Sequence, residues 1–532
     1  MSILKSPLTY ELPTESYPFR AMALARKFAQ EDSEKVAFRS AENEHDQVTY
    51  SQVVRYADSF SGWLQKEGYK KGDIIYLALR NCWQIPVLVI GATQIGVIVT
   101  LASPEFTSFE HEYQIDDSMA KLIITDDSIE SNVRKGAQKF APLKILKTRS
   151  TIDDIQPIFE SNLPFKQVHL DLRKDVMVIL YSSGTTGKPK GVMISHFNYS
   201  TMLTCYNTKY DFEYKSLGFD GFVPPQTNVT FLPLYHAMGL FTIFSHFTYG
   251  TLQVILSKFD LRLYLTIVSK YEVQVITLVP SVVIKLVKST LLDEIDLSCL
   301  LGIGCGSAPL SRSVIDKLRE KLPNVIIAQG FGMTELSVAS HLGTRDTPDG
   351  SVGVLVPNTE MKVLKEDGTL CGPNEEGECW IRGPQIMLGY WRKEKETKEL
   401  MDKDGFIRTG DIVYYDKDGY TWVSDRIKEL IKVHGKQVAP AELESILLNH
   451  PMVDDACVIG IAHEDAGEVP RAYVVAKNGA KPEDILNFMN EKVAPYKRLK
   501  GGIEFLPVLP RTNTGKLLRR QLKLDYTKKS NL

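Results

Sequence analysis

Residues 176–191 read VMVILYSSGTTGKPKG, and the rest of the chain can be parsed outward from them. Val176 to Leu180 is an unbroken apolar run of strand length. It ends abruptly in Tyr181-Ser182-Ser183-Gly184-Thr185-Thr186-Gly187-Lys188-Pro189-Lys190-Gly191. The glycines let the backbone approach a ligand closely, and successive N–H groups in such a turn form an anion-binding nest. Ser182, Ser183, Thr185 and Thr186 add hydroxyl donors, while Lys188 and Lys190 add positive charge. This set suits the holding of a triphosphate. It is not the Walker pattern Gly-x-x-x-x-Gly-Lys-[Ser/Thr], because Pro189 follows Gly187-Lys188 and Ser182 stands where the first glycine belongs.

Strand-like runs alternate with helical patterns through the first 400 or so residues. Asp73 to Leu79, Lys121 to Thr125 and Val275 to Leu278 read as strands, and Tyr50 to Glu67 reads as a helix with Ser51 as its N-cap. The alternation predicts an α/β fold with parallel-rich sheets in several layers. After about residue 350 the character changes. Turns such as Asp404-Gly405 and Asp418-Gly419 punctuate short β runs, which predicts a small antiparallel or barrel-like subdomain over about 350–424. The charged stretch Asp425 to Lys432 reads as an exposed link, and Pro440 opens a helix with Leu443, Ile446 and Leu447 on one face. The expected organisation is a large domain over 1–424, a hinge at 425–428 and a small α+β C-terminal domain over 429–532.

The 532 residues correspond to three or four domains or subdomains at about 150 residues each. A hydrophobic share of 43% with 24% charged residues excludes disordered, collagen-like and disulfide-scaffold chains. Lys and Arg number 63 against 65 Asp and Glu, so no overall field recruits nucleic acid or an anionic membrane. The seven cysteines form no Cys-x-x-Cys and no zinc-finger spacing, and read as buried free thiols in a reducing compartment. The N-terminus lacks the apolar core of a signal peptide. Residues 81–104 and 221–257 carry no Asp, Glu, Lys or Arg. Gln84, Pro86 and Gln94 in the first, and His236 and His246 in the second, argue for buried core and against a span, leaving peripheral membrane contact open. The segment from Ala494 to Leu532 carries ten Lys or Arg against two acidic residues, which suits either a solvated face or a surface meeting a polyphosphate.

YSSGTTGKPKG resembles the phosphate-loop signature of the adenylate-forming enzymes, which include acyl-CoA synthetases, 4-coumarate–CoA ligases, beetle luciferases and peptide-synthetase adenylation domains. Further motifs follow in family order. They are Gln329-Gly330-Phe331-Gly332-Met333-Thr334-Glu335, Tyr390, Arg408-Thr409-Gly410-Asp411, Asp425-Arg426-x-Lys428-Glu429, Lys432-x-x-Gly435-x-Gln437-x-x-Pro440 and Arg511-Thr512-Asn513-Thr514-Gly515-Lys516. The resemblance spans roughly residues 20 to 525 and places the chain in the 4-coumarate–CoA-ligase-like branch.

The resemblance implies a large domain and a small mobile one, with ATP, CoA and Mg2+ as cofactors. The loop of Ser182, Ser183, Gly184, Thr185, Thr186, Gly187 and Lys190 would grip the phosphates. Gln329, Gly330, Phe331, Val423, Asp411 and Arg426 would hold adenosine. Thr334 would contact the α-phosphate, Glu335 the Mg2+, and Lys516 would bridge carboxylate and α-phosphate. His236 in Leu232-Pro233-Leu234-Tyr235-His236-Ala237-Met238-Gly239 would stand between pocket and carboxylate. Met238, Gly239, Gly306, Ser307, Ala308 and Val338 would line the acyl pocket. After rotation about Lys428, Lys432 and Gln437 would serve the thiol step, with Lys258, His434 and Gly435 on CoA. Two catalytic lysines 84 residues apart fit such alternation.

The chain departs from the family at Phe331, Val433-His434, Arg511 and Asn513-Thr514, and Val338 argues against light emission. The expected activity is therefore ATP-dependent acyl-CoA synthesis from a fatty or aryl-propenoic acid. Luciferase-like oxidation, carrier-protein loading and membrane-associated fatty-acid uptake by acyl-CoA trapping are the rivals. The expected partner is a small carboxylic acid, with the chain a monomer or homodimer. Ser530-Asn531-Leu532 is a degenerate match to the peroxisomal Ser-Lys-Leu signal, with the cytoplasm as the other location.

Overall fold

The computed structural model describes residues 3–140, 142–182, 189–216, 223–308, 310, 312–426, 429–433, 436–463, 466–493, 495–512 and 515–530. A seven-stranded sheet carries the decisive stretch. Its order is Gly389–Tyr390, Lys190–Ser195, Val176–Ser182, Ile98–Ala102, Ile74–Ala78, Leu122–Thr125 and Lys144–Lys147. From Val176–Ser182 onward the strands are parallel, and the first two run antiparallel. Ile74–Ala78 and Ile98–Ala102 are buried at every position, as continuous apolar runs in a two-sided sheet must be.

Two further sheets add parallel strands. Val275–Leu278, Gly302–Cys305 and Ile326–Phe331 are parallel, followed by antiparallel His341–Leu342 and Val354–Leu355. Thr227–Thr230, Leu252–Ile255 and Val36–Ser40 are parallel, with Gln47–Thr49 antiparallel at the end. Both uncharged stretches are core. Helix Gln84–Thr93 is buried at every residue, and helix Ala237–Thr248 packs Leu240, Phe241, Phe244 and Phe247 inward. Among the described residues no helix is long and apolar enough to cross a membrane.

The turn-dense region forms a five-stranded antiparallel sheet, Leu4–Lys5, Glu360–Leu364, Gly377–Arg382, Ile407–Tyr415 and Thr421–Arg426. No turn spacing announces that Leu4–Lys5 joins it. Strand Thr421–Arg426 takes Asp425 and Arg426 into this sheet. Of the rest of the expected link, Glu429 and Leu430 precede strand Ile431–Val433, while Ile427 and Lys428 lie outside the described residues.

Beyond it, strands Lys436–Val438, Ile431–Val433, Gly467–Ala476 and Val453–His463 form one sheet, with Ile503–Phe505 added parallel to Gly467–Ala476. Ile431, Val433, Leu443, Leu447, Val458 and Met489 make a separate apolar core. Helix Pro440–Leu447 starts at the expected proline.

One cap differs from expectation. Helix Tyr50–Lys66 is capped by Thr49, not Ser51. The Thr49 hydroxyl accepts from the Gln52 N–H while the Gln52 side chain accepts from the Thr49 N–H, so the reciprocal bond selects the earlier residue. All seven cysteines are free thiols, buried except for half-buried Cys299. Leu443 is fully buried on the helix that closes the C-terminal core. Leu443→Ala is expected to cost about 3 kcal/mol, read as an earlier calorimetric transition of the 431–522 module with the larger transition in place.

Candidate active site

The loops expected to act together leave the carboxyl ends of parallel strands, where α/β sheets hold ligands. Ser182 ends Val176–Ser182, Gly306 follows Gly302–Cys305, and Gln329 to Phe331 end Ile326–Phe331. Leu232 to His236 follow Thr227–Thr230.

At the centre is Glu335, buried in the turn Thr334–Leu336. Its Oε1 accepts from the Ser182 hydroxyl at 3.1 Å and from the Tyr390 hydroxyl at 2.8 Å. Burial first, and the Glu335 charge second, push the Tyr390 hydroxyl well above its ordinary value. Tyr390 therefore stays protonated and donates. Lys190 Nζ lies 4.9 Å from the centre of the Tyr390 ring, a cation–π contact. Ser182, Lys190, Glu335 and Tyr390 thus form one cluster. Ser183, Gly184, Thr185, Thr186 and Gly187 lie outside the described residues.

The segment from Gln329 to Leu342 folds back on itself. Phe331 stands opposite His341, and the Ser340 N–H donates to the Phe331 carbonyl at 2.9 Å. A side chain at Gly332 would overlap the Val338 carbonyl, so only glycine fits there. Ser337 and Val338 take φ of 52° and 135°, strained for residues with a Cβ. The Ser337 hydroxyl, donating to the Gln385 carbonyl at 2.7 Å in a buried bond, helps hold that backbone in place. The Gln329 side-chain oxygen accepts from the Leu310 N–H at 2.9 Å, which ties the end of this strand to the turn after Gly306.

Of the expected adenosine-binding residues, Gln329, Gly330 and Phe331 end strand Ile326–Phe331, while Asp411, Val423 and Arg426 lie on the antiparallel sheet. Phe331, Met333, Leu336 and Val423 share one apolar cluster. Buried Asp411 pairs in register with Arg426 across strands Ile407–Tyr415 and Thr421–Arg426. The side chains of Arg426 and Gln437 lie outside the described residues, as do His434 and Gly435.

The expected acyl-pocket residues also come together. The Ser307 hydroxyl approaches the Met238 sulfur at 3.7 Å, and Gly306 is packed against the same thioether. Ala308 follows in the same turn, and Val338 packs on the cluster that contains Leu234, Ala237 and Phe241. Gly239 acts differently, since a side chain there would overlap the Pro233 carbonyl. It lets the helix begin tightly against its own preceding turn. His236 precedes that helix with its ring against Tyr235, 4.4 Å between centres. Burial pushes its pKa down to about 4, so the imidazole is neutral at pH 7.

The Lys516 turn meets the large domain. Gly515, at φ 80°, is packed on Ser281 and Val279, just past strand Val275–Leu278, so closely that no side chain would fit. The Lys516 N–H donates to the Thr512 hydroxyl at 3.1 Å. Lys432 stands exposed on Ile431–Val433, its N–H on a Glu468 carboxylate oxygen at 3.0 Å. Lys258 is also exposed, ahead of helix Leu261–Lys270. In the basic C-terminal segment, Lys497, Arg511, Arg519, Lys523 and Lys529 pair with Glu442, Asp455, Glu429 and Glu444, Glu468 and Glu504. At least five of its ten cations are therefore paired inside the domain.

Sequence reasoning missed Asn81. This buried side chain donates to the Leu232 carbonyl at 3.0 Å and accepts from the Leu234 N–H at 3.0 Å, fixing the segment that carries His236. Its signal was a polar residue at the head of an uncharged buried run. Tyr390 was noticed but given no role.

The AMP-binding enzyme family model matches residues 25–391, and the AMP-binding enzyme C-terminal domain model matches 442–516. Acyl-CoA synthetase 7 of Caenorhabditis elegans is 46% identical over 97% of each chain. Probable 4-coumarate–CoA ligase 2 of Dictyostelium discoideum is 37% identical over 86% of this chain and 87% of its own. Among solved structures, the o-succinylbenzoate–CoA synthetase of Bacillus subtilis in complex with its acyl-adenylate intermediate aligns at a TM-score of 0.80. It is 26% identical, covering 94% of this chain and 97% of that one.

Fully buried His196 and His341 have pKa values pushed down by burial to about 4 and about 3, from an ordinary 6.5. Their unfolded forms bind protons first, so stability is complete above pH 6.5 and falls as the pH drops toward 4. For His196 the shift corresponds to roughly 3 kcal/mol. Urea unfolding between pH 7.5 and 4.5 is expected to show that decline, and His196→Gln is expected to flatten it.

Proposed function

The chain belongs to the AMP-binding enzyme family, and from that membership we propose that it is an ATP-dependent acyl-CoA synthetase acting on a free fatty or aryl-propenoic acid. One observation carries the reading. The Lys516 turn packs through Gly515 on Ser281, just past Val275–Leu278, in the sheet whose neighbouring strands lead to Gly306 and to the turn that carries Glu335.

A carboxylate is a poor electrophile because its leaving group would be oxide. Its attack on the α-phosphate of ATP forms an acyl-adenylate and expels pyrophosphate. Negative charge gathers at the α-phosphate, where fixed donors and cations count most. Lys516 would bridge the carboxylate and that phosphate. Unit charges about 4 Å apart at an effective dielectric of about 20 attract by about 4 kcal/mol. Thr334 would donate to the α-phosphate, and the loop from Ser182 to Lys190 would hold the β- and γ-phosphates. Asp411 and Arg426 would hold the ribose, beside Phe331 and Val423. Neutral His236 would donate one hydrogen bond toward the carboxylate.

Glu335 fits a Mg2+ that arrives with the nucleotide. It supplies hard carboxylate oxygens, and the donors that fix its Oε1 are neutral hydroxyls. Such a cation would shield the phosphate charge.

In the second step the CoA thiol attacks the acyl carbon and AMP leaves. Rotation about the link at Lys428 would withdraw Lys516 and present Lys432, Gln437, His434 and Gly435, with Lys258 beside the CoA nucleotide. The acyl wall of Met238, Gly306, Ser307, Ala308 and Val338 would set which acid enters. A peroxisomal destination rests on Ser530-Asn531-Leu532, whose last two residues lie outside the described ones.

The test is a screen of free acids with ATP and CoA, read by AMP release. With the best acid, Lys516→Ala is expected to lower exchange of labelled pyrophosphate into ATP at least 100-fold. It should largely spare CoA thioester formation from supplied acyl-adenylate. Lys432→Ala is expected to show the opposite bias, and equal loss of both steps in folded variants would reject the two-faced reading.

A further inference from the structure

Strand Val453–His463 opens with a β-bulge between Val453 and Asp455, where Asp454 is left without a ladder partner and the adjacent Asp455 pairs with Val475. Bulges re-aim side chains in this way. Asp454 turns outward to the large domain. Its carboxylate meets Lys288 Nζ at 3.0 Å, and the same ammonium donates to the Asp454 carbonyl. Asp455 turns back into its own domain. Its two oxygens accept from Arg511 Nη2 at 2.7 and 2.8 Å, and one of them also accepts from the Ala456 N–H at 3.0 Å.

Arg511 has a second task. Its Nη1 donates to the Gly515 carbonyl at 2.8 Å, the carbonyl immediately before Lys516. The base of the turn is closed by three more bonds. The Thr512 N–H donates to the Lys516 carbonyl and the Gly515 N–H to the Thr512 carbonyl, each at 2.8 Å, and the Lys516 N–H donates to the Thr512 hydroxyl. The guanidinium is thus gripped on one side by a strand and on the other holds the peptide that carries the catalytic lysine. A planar fork does this better than a point charge can.

We propose that Asp455 and Arg511 are positioning residues for Lys516, and that the bulge at Asp454–Asp455 links the aim of that lysine to the seating of the small domain on Lys288. The bonds of this pair go to protein atoms, namely each other, the Ala456 N–H and the Gly515 carbonyl. The pair's effect belongs to the step that uses Lys516, because the geometry it fixes ends at the Gly515 carbonyl. This inference rests on the adenylation role proposed above for Lys516.

The experiment uses the full chain and two assays, pyrophosphate exchange into ATP and CoA thioester formation from supplied acyl-adenylate. Arg511→Lys keeps the charge but cannot fork to both partners, and Asp455→Asn keeps the shape but drops the charge. Each is expected to lower the exchange kcat by 10- to 100-fold, with the thioester step changed less than 3-fold and the melting temperature kept within a few degrees. Combined with Lys516→Ala, either variant is expected to add less than 3-fold to the loss from Lys516→Ala alone. Lys288→Ala is expected to lower exchange more weakly than either. Additive losses with Lys516→Ala, or equal losses in both assays, would overturn the proposal and leave the pair a plain structural ion pair. Absence of exchange in the unsubstituted chain with every acid tested would instead reject the function proposed above, so the two failures are distinguishable.

Discussion

A single buried carboxylate, Glu335, ties its own turn to two strands of the seven-stranded sheet. One of its oxygens takes hydroxyl donors from the end of the phosphate-loop strand and from the short strand Gly389–Tyr390. A buried carboxylate is tolerated only when such donors surround it, and each hydroxyl would be stranded without it. The arrangement is therefore mutual. The end of strand Val176–Ser182, the Thr334 turn and Tyr390, over which Lys190 is stacked, meet at this one group.

Around that point the backbone is packed too closely for ordinary side chains. Gly332 passes against the Val338 carbonyl, and Gly515 lies on Ser281. The first contact lies within one folded-back segment of the large domain, and the second crosses to the small domain. The first fixes the folded-back segment through strained Ser337 and Val338. The second sets how near the Lys516 turn can come to the strand ends.

Much of this was legible beforehand. The apolar runs gave the parallel strands to within a residue or two, because a strand buried on both faces leaves an uninterrupted apolar signature. The Ser/Thr/Gly loop and the ordered motifs pointed to residues of which Ser182, Lys190, Glu335 and Tyr390 form one cluster. Other features left no such mark. The sequence analysis places the cap at Ser51, but Thr49 is an equally good capping residue, and only the reciprocal bond with Gln52 selects it. Asn81, Asp455 and Arg511 act through partners up to 153 residues away, and no periodicity encodes such pairs. Leu4–Lys5 was invisible because two residues carry no pattern.

The sulfur chemistry of the chain is quiet. Burial pushes Cys82 up to about 11 and Cys305 up to about 12, and the half-exposed exception, Cys299, is raised as well. Thiolate, the reactive form, is scarce in all three at neutral pH. A cysteine introduced on the outer face of helix Arg519–Ser530 would thus react first with a maleimide dye. A second placed on the large domain would complete an energy-transfer pair, so the rotation proposed for the small module would be read by fluorescence with every native sulfur left in place.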